Sequence, residues 1–272
     1  MNIKNVLKEK NFTFKKSLGQ NFLTDEVLLG GVVEKAGVTN DVSVLEIGVG
    51  AGTLTSEIAK RAKKVLGFEV DKNLKPVLDK TLSEFSNVTI DFRDVMKVSM
   101  QEIEELAGEE YMLVANLPYY ITTPIIMRFI EDAKNCKAIV VTIQKEVAER
   151  IVAKEKTSDY GSITVSINAV ADTEIIEYIG REKFYPSPNV DSAVVKITLN
   201  PDKYYIKDIV KFRNLIKNSF LMRRKTLVNN LMKGYNLSRL DAEELLNKLK
   251  VPLNARGEEL SVKEFIDLAE LI

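Results

Sequence analysis

The chain has 272 residues, enough to bury a large core, and one catalytic domain with a small appendage is the natural division. It carries 39 Lys and Arg, 39 Asp and Glu and no histidine, which excludes serine–histidine and cysteine–histidine mechanisms and argues against a transition-metal site. The lone Cys136 excludes a disulfide framework, no apolar run is long enough to span a bilayer, and the lysine-rich N-terminus has no signal-peptide core, so a cytoplasmic protein is expected.

The neutral total hides two basic blocks. Residues 1–24 hold Lys4, Lys8, Lys10, Lys15 and Lys16 against Glu9, and residues 201–240 hold ten Lys or Arg against Asp202 and Asp208. Such blocks on a neutral protein point to a localised polyanion surface, the simpler alternative being a solvated lysine-rich face.

After the basic leader and Ser17-Leu18-Gly19-Gln20-Asn21-Phe22-Leu23, a helical pattern runs through Val27, Leu28, Val32 and Val33 to Gly37. Strands are expected at 42–47, 64–69, 88–92, 111–115 and 137–143. Helices are expected at 54–62, 74–82, 124–132 and 145–153. This alternation indicates an α/β fold with a mainly parallel sheet covered on both faces. Residues 154–160 read as a polar loop. Two alternating strands, 173–178 and 192–199, read as an antiparallel addition at the sheet edge, with Phe184-Tyr185-Pro186-Ser187-Pro188 between them. From Ile206 onward the periodicity is helical, so the boundary falls near Asn200-Pro201-Asp202, giving domains 1–200 and 201–272.

Ligands of an open parallel sheet bind beyond the carboxyl ends of its strands. Four consecutive strands here end in Glu46-Ile47-Gly48, Glu69, Asp94 and Asn116, which gathers a glycine loop, three acids and an amide on one edge. Gly48 and Gly50 let the backbone approach a ligand closely. Glu69, nineteen positions after Gly50, is placed for the hydroxyls of a ribose. A nicotinamide dinucleotide would need its third glycine at position 53, where Thr53 stands, and Glu46 is unhelpful beside a pyrophosphate. Glu46 instead suits the ammonium end of an amino-acid-bearing cofactor. S-adenosylmethionine offers that ammonium, a ribose for Glu69 and an adenine amine for Asp94. The simpler alternatives are a plain tight turn for the glycines and caps for Glu69, Asp94 and Asn116.

The sequence resembles the ribosomal RNA adenine N6-dimethyltransferases nearly end to end. The resemblance rests on Gln20-Asn21-Phe22-Leu23, Glu46-Ile47-Gly48-Val49-Gly50-Ala51-Gly52, Asn116-Leu117-Pro118-Tyr119, Phe184 to Ser192, and Phe220 to Leu227. It implies a Rossmann-like class I methyltransferase sheet followed by a small all-α domain. It also implies cofactor contacts from Asn21, Leu23, Gly48, Glu69, Asp94 and Asn116. Leu117 and the Arg-Arg-Lys-Thr-Leu run are closer to the branch that methylates two adjacent adenines near the 3′ end of 16S rRNA in an immature small subunit. The other branch modifies one adenine of 23S rRNA and confers macrolide resistance.

The N6 amine of adenine is a poor nucleophile because its lone pair is delocalised, so acceptors that take its hydrogens and aim the nitrogen are the expected catalytic device. The Asn116 side-chain oxygen and the Leu117 carbonyl are the expected acceptors, with Pro118 fixing the backbone between them. Tyr119 is expected to stack on a flipped base and Phe184 to close its other face. Arg223, Arg224 and Lys225, with Lys211, Arg213 and Lys217 two to three turns earlier at helical pitch, are expected to line one phosphate-binding helix face. No metal is expected, and the protein is expected to act as a monomer. An assembly factor that acts mainly by binding, and a nicotinamide oxidoreductase, are the readings from other classes.

Overall fold

The computed structural model describes residues 3–15 and 18–272; Lys16 of the basic leader and Ser17 of the following motif lie outside the described residues. Nine strands are present among the described residues: β1 (Phe22–Leu23), β2 (Ser43–Ile47), β3 (Lys64–Phe68), β4 (Val88–Asp91), β5 (Tyr111–Asn116), β6 (Cys136–Gln144), β7 (Ala171–Ile179), β8 (Phe184–Tyr185) and β9 (Ser192–Leu199). Seven form one sheet in the order β4-β3-β2-β5-β6-β9-β7. The pairs from β4 through to β6 are parallel, and β9 joins β6 antiparallel. The central strands read as unbroken apolar runs because both faces are covered: Leu45, Val65, Leu113, Val140 and Val141 are all buried.

The chain divides into two compact units, residues 1–148 with 174–199, and residues 149–173 with 200–272. In the first, α2 (Glu26–Ala36), α3 (Thr53–Ala59), α5 (Met100–Ala107) and α6 (Thr122–Asp132) alternate with the strands, and α1 (Ile3–Glu9) packs on α4 (Lys75–Thr81) through Ile3, Val6, Leu7, Leu74 and Val77. Asp25 starts α2 by accepting the Leu28 N–H, and Gly37 ends it in the left-handed region. The division falls within α7 (Lys145–Ile151).

The second unit holds α8 (Ser162–Asn168), α9 (Ile209–Ser219), α10 (Leu227–Tyr235), α11 (Arg239–Lys248) and α12 (Val262–Leu271). It differs from a division at residue 200 because Tyr160, Val165 and Ala169 bury against Phe212, Leu215, Leu246 and Phe265, so residues 149–173 belong to the helical core. Helix α8 has no counterpart in the sequence reading, since Ile163, Thr164, Val165 and Ile167 are β-branched and favour strands. Packing overrides that preference, and the buried Thr164 hydroxyl donates to the Arg150 carbonyl at 2.6 Å.

The single basic helix face is also corrected. Helix α9 stops at Ser219, and Arg223, Arg224 and Lys225 lie in the turn before α10. The buried Asn230 holds that turn by accepting the Met222 N–H at 2.8 Å and donating to the Met222 carbonyl at 3.3 Å. All three basic side chains are exposed, and the Arg223 guanidinium donates to the Ser158 carbonyl.

Candidate active site

At β2 the sheet changes winding direction, with β3 on one side and β5 on the other, so the crevice beyond β2 is the position where such sheets hold ligands. Register aligns the strand ends: Ile47 lies against Phe68, Phe68 against Asp91, and Asn116 against Thr142. A cleft of about 420 Å³ opens at this edge. Asn21, Leu23, Glu46, Gly48, Gly50, Glu69, Asp94, Phe184 and the whole of Asn116-Leu117-Pro118-Tyr119 line it, so every residue expected to bind cofactor or take part in catalysis borders one cavity.

The glycine loop needs its glycines. Gly48 and Gly50 have φ of 76° and 59°, the left-handed region that side chains disfavour, and a Cβ on Gly50 would lie 2.9 Å from the Phe22 ring. The Gly50 N–H donates to Glu69 Oε2 at 2.8 Å, and the Asp71 N–H donates to Glu69 Oε1 at 2.7 Å. Glu69 is therefore clamped between the loop and its own turn, while each oxygen keeps a lone pair for a further donor. Burial pushes its pKa up, and the Asp71 and Gly50 amides oppose the shift.

Glu46 is only 1 % exposed, and its Oε2 has no hydrogen-bond partner among the described residues. Burial pushes the carboxyl to about 8, against the influence of Thr55 and with that of Glu69. A buried carboxyl with an unused oxygen, on the wall of a cleft, is suited to a ligand that brings a positive charge. Asp94 borders the cleft and also caps the short turn Val95–Lys97 by accepting the Met96 N–H at 3.0 Å, so the capping and lining positions coexist in one residue.

Asn116 does not cap a helix. Helix α6 starts at Thr122 with Ile121 as its unassisted N-cap, whereas Asn116 Nδ2 donates to the Asn21 carbonyl at 3.2 Å. A carbonyl can only accept, so the amide orientation is determined and Oδ1 is the atom left to accept from a substrate. Pro118 begins a 3-10 turn, its carbonyl accepting from the Ile121 N–H at 3.1 Å and the Thr122 hydroxyl at 3.3 Å. The half-buried Tyr119 is anchored by its hydroxyl to the buried Ser192 hydroxyl at 2.8 Å, and burial pushes the phenol pKa up. Phe184 pairs with Leu23 in the two-stranded β1–β8 sheet and joins the core of Leu23, Ile179 and Val194; at 5 % exposure it presents little ring to the cleft.

Several residues of the cleft escaped the sequence reading. Phe22 wedges against Gly50, and the Thr53 hydroxyl holds the Leu23 carbonyl at 2.8 Å. Asp71, two places after Glu69, lies behind the cleft wall and was also not singled out from the sequence. Among the described residues no group of three or more His, Cys, Asp or Glu could hold a metal ion, and no helix is long and apolar enough to cross a membrane.

The model of the family described as Ribosomal RNA adenine dimethylase matches residues 11–272. The Ribosomal RNA small subunit methyltransferase A of Bacillus licheniformis is 43% identical over 276 residues, covering 98% of this chain and 94% of its own. The protein of the same name from Bacillus mycoides is 41% identical over 278 residues, covering 99% and 94%. A dimethyladenosine transferase from Plasmodium falciparum shares the fold at TM-score 0.77 and 23% identity, covering 91% of this chain and 95% of its own. The structure of 23S rRNA methyltransferase ErmE has TM-score 0.70 and 26% identity, covering 92% and 98%. With the family model spanning all but ten residues of a chain that carries the class I methyltransferase sheet, the chain belongs to the ribosomal RNA adenine dimethylase family.

Proposed function

We propose that this protein transfers methyl groups from S-adenosylmethionine to the N6 amines of two adjacent adenines near the 3′ end of 16S rRNA, during maturation of the small subunit. The single observation that carries the reading is the orientation of Asn116, whose Nδ2 is committed to the Asn21 carbonyl. Oδ1 and the Leu117 carbonyl are then a pair of acceptors, and an exocyclic amine with two hydrogens is the donor they match. The substrate choice follows the names of the relatives at 43% and 41% identity.

The residues around the cleft fit this cofactor. Glu46 Oε2 would take the ammonium group, Glu69 the ribose hydroxyls, and Asp94 the adenine amine, with Gly48, Asn21 and Leu23 forming the wall. When bound, the cofactor supplies a methyl already activated by a positively charged sulfur. Asn116 and Leu117 hold the target amine and rotate its lone pair out of conjugation. Tyr119, fixed by Ser192, gives the base a stacking surface. The amine needs to lose its proton only as the new bond forms, so the chain works without histidine. The exposed Arg224 and Lys225, and the free donors of Arg223, would neutralise phosphates. The protein is expected to act in the cytoplasm as a monomer.

The test is incubation with labelled S-adenosylmethionine and either immature small subunits or naked 23S RNA, followed by mapping of dimethyladenine. Label on two adjacent adenines of the small subunit is the expected result. Label on 23S RNA alone would move the protein to the macrolide-resistance branch. A Glu69→Ala strain that matures subunits normally where a deletion strain does not would make binding, rather than methylation, the main role.

A further inference from the structure

Asp71 does not border the cleft, yet it is built into it from behind. It is 2 % exposed, and its N–H orients Glu69 through the 2.7 Å bond already described. Its Oδ1 accepts from Lys15 Nζ at 2.7 Å and from the Asn73 N–H at 3.1 Å, and its Oδ2 accepts from Gln20 Nε2 at 3.0 Å. Gln20 Oε1 in turn accepts the Lys15 N–H at 2.8 Å, so one residue of the leader and one of the motif after it are locked to one carboxylate and to each other.

A turn cap alone does not require this. Asp94 caps a similar turn after the next strand through the Met96 N–H, remains part-exposed, and among the described residues has Lys97 as its ion-pair partner at 3.8 Å. Burying a carboxylate costs several kcal/mol unless it is fully bonded, so the two extra tethers on Asp71 offset a cost that a simple cap would avoid. Burial disfavours its ionised form, but Lys15, Gln20 and the Asn73 amide together outweigh burial and hold the carboxyl below its usual range. What the tethers hold is residues 18–23, the segment that carries Asn21 and Leu23 along the cleft wall. That segment is also fixed by Asn21 to Asn116, by Leu23 to Thr53 and by the pairing of Phe22 and Leu23 with β8, and Asp71 adds a further tether at Gln20.

We infer that Asp71 is a positioning residue for cofactor binding: one carboxylate fastens the 18–23 segment over the cleft while its own amide aims Glu69. The inference rests on the cleft being the S-adenosylmethionine site. Because Asp71 meets neither the cofactor nor the amine, its loss acts on the capture of cofactor and leaves the transfer step alone. A residue that only supports the fold would lower stability and activity without separating the two kinetic constants.

The experiment uses the full chain with Asp71→Asn, Gln20→Ala and the double variant. Asparagine keeps the cap on Asn73 but removes the charge that Lys15 needs and the oxygen that accepts from Gln20. Calorimetry with S-adenosylmethionine is expected to show affinity about tenfold weaker in each single variant, the loss of one charge-assisted hydrogen bond. The double variant should lose less than the product of the singles, as partners in one network do. KM for S-adenosylmethionine should rise by a similar factor, with kcat within about twofold of the parent. Hydrogen exchange at residues 18–23 should quicken in both single variants. If Asp71→Asn loses thermal stability, Lys15→Ala decides the matter, since Lys15 tethers Asp71 and, unlike Gln20, does not border the cleft. Parental affinity in the variants, or a fall in kcat at unchanged KM, overturns the inference while the cofactor assignment stands. Failure of the parent protein to bind S-adenosylmethionine overturns both.

Discussion

Asn116 Nδ2 reaches the Asn21 carbonyl at 3.2 Å, joining the end of the fifth strand to a segment 95 residues earlier. The bond sets which atom of the amide is offered to a substrate. Asn116→Ala is therefore expected to lower the rate of methyl transfer by about two to three orders of magnitude, the scale of removing one acceptor aimed at a reacting group. Far-ultraviolet circular dichroism should be unchanged. Turnover measured at saturating cofactor and RNA checks this, and full activity would end the proposed mechanism.

The buried Glu46 carboxyl should shape stability against pH. Its folded value is about 8 and its ordinary value 4.5, so between these the folded protein keeps a proton that the unfolded chain has released. Stability therefore falls as pH rises through that window, at about 1.4 kcal/mol per unit from this group. Glu46→Gln should remove that slope. Urea denaturation at pH 5, 6, 7 and 8 compares the two proteins, and parallel curves would contradict the assignment. A cationic ligand beside Oε2 favours the ionised form, so calorimetry in buffers of different ionisation enthalpy should detect proton release on binding S-adenosylmethionine near pH 7.

Phe184 carries two burdens, and the structure separates their tests. Truncating a buried Phe in a core position costs about 3–5 kcal/mol, so Phe184→Ala should lower the thermal midpoint as well as activity. Phe184→Leu retains most of the volume against Leu23 and Val194 while removing the aromatic face. Slower methyl transfer at parental cofactor affinity in Phe184→Leu is the outcome expected of a stacking residue. An unchanged rate assigns Phe184 to packing alone.

RNA binding should weaken steeply with salt because phosphate contacts release counterions. Arg224→Ala and Lys225→Ala should each reduce the slope of log affinity against log salt by about one. Filter binding of a 16S fragment between low and physiological salt measures this. An unaltered slope in both variants would place the RNA elsewhere on the protein.

Much of the architecture could be read along the chain because its signals are local. Apolar runs ending in Glu69 and Asn116 report buried parallel strands, and glycines at 48 and 50 report a left-handed backbone that side chains disfavour. Helix α8 was not legible, since β-branched residues favour strands and only burial with Phe212 and Leu246 makes them helical. The extent of the helical unit was missed for the same reason: residues 149–173 are assigned by contacts with residues more than forty positions later.

By itself the sequence determined the chemistry on offer: no histidine, four polar strand ends, a glycine loop and a tetrapeptide bearing an amide. Those are matters of residue type and spacing, which a parallel sheet converts directly into a row along one edge. The tertiary structure decided how the groups are poised. It turned the Asn116 amide, left Glu46 Oε2 without a partner among the described residues, anchored Tyr119 to Ser192 and tied Asp71 to Lys15 and Gln20. Each of these depends on bonds or burial between residues far apart in the chain, and such partners are chosen by packing, which local sequence does not encode.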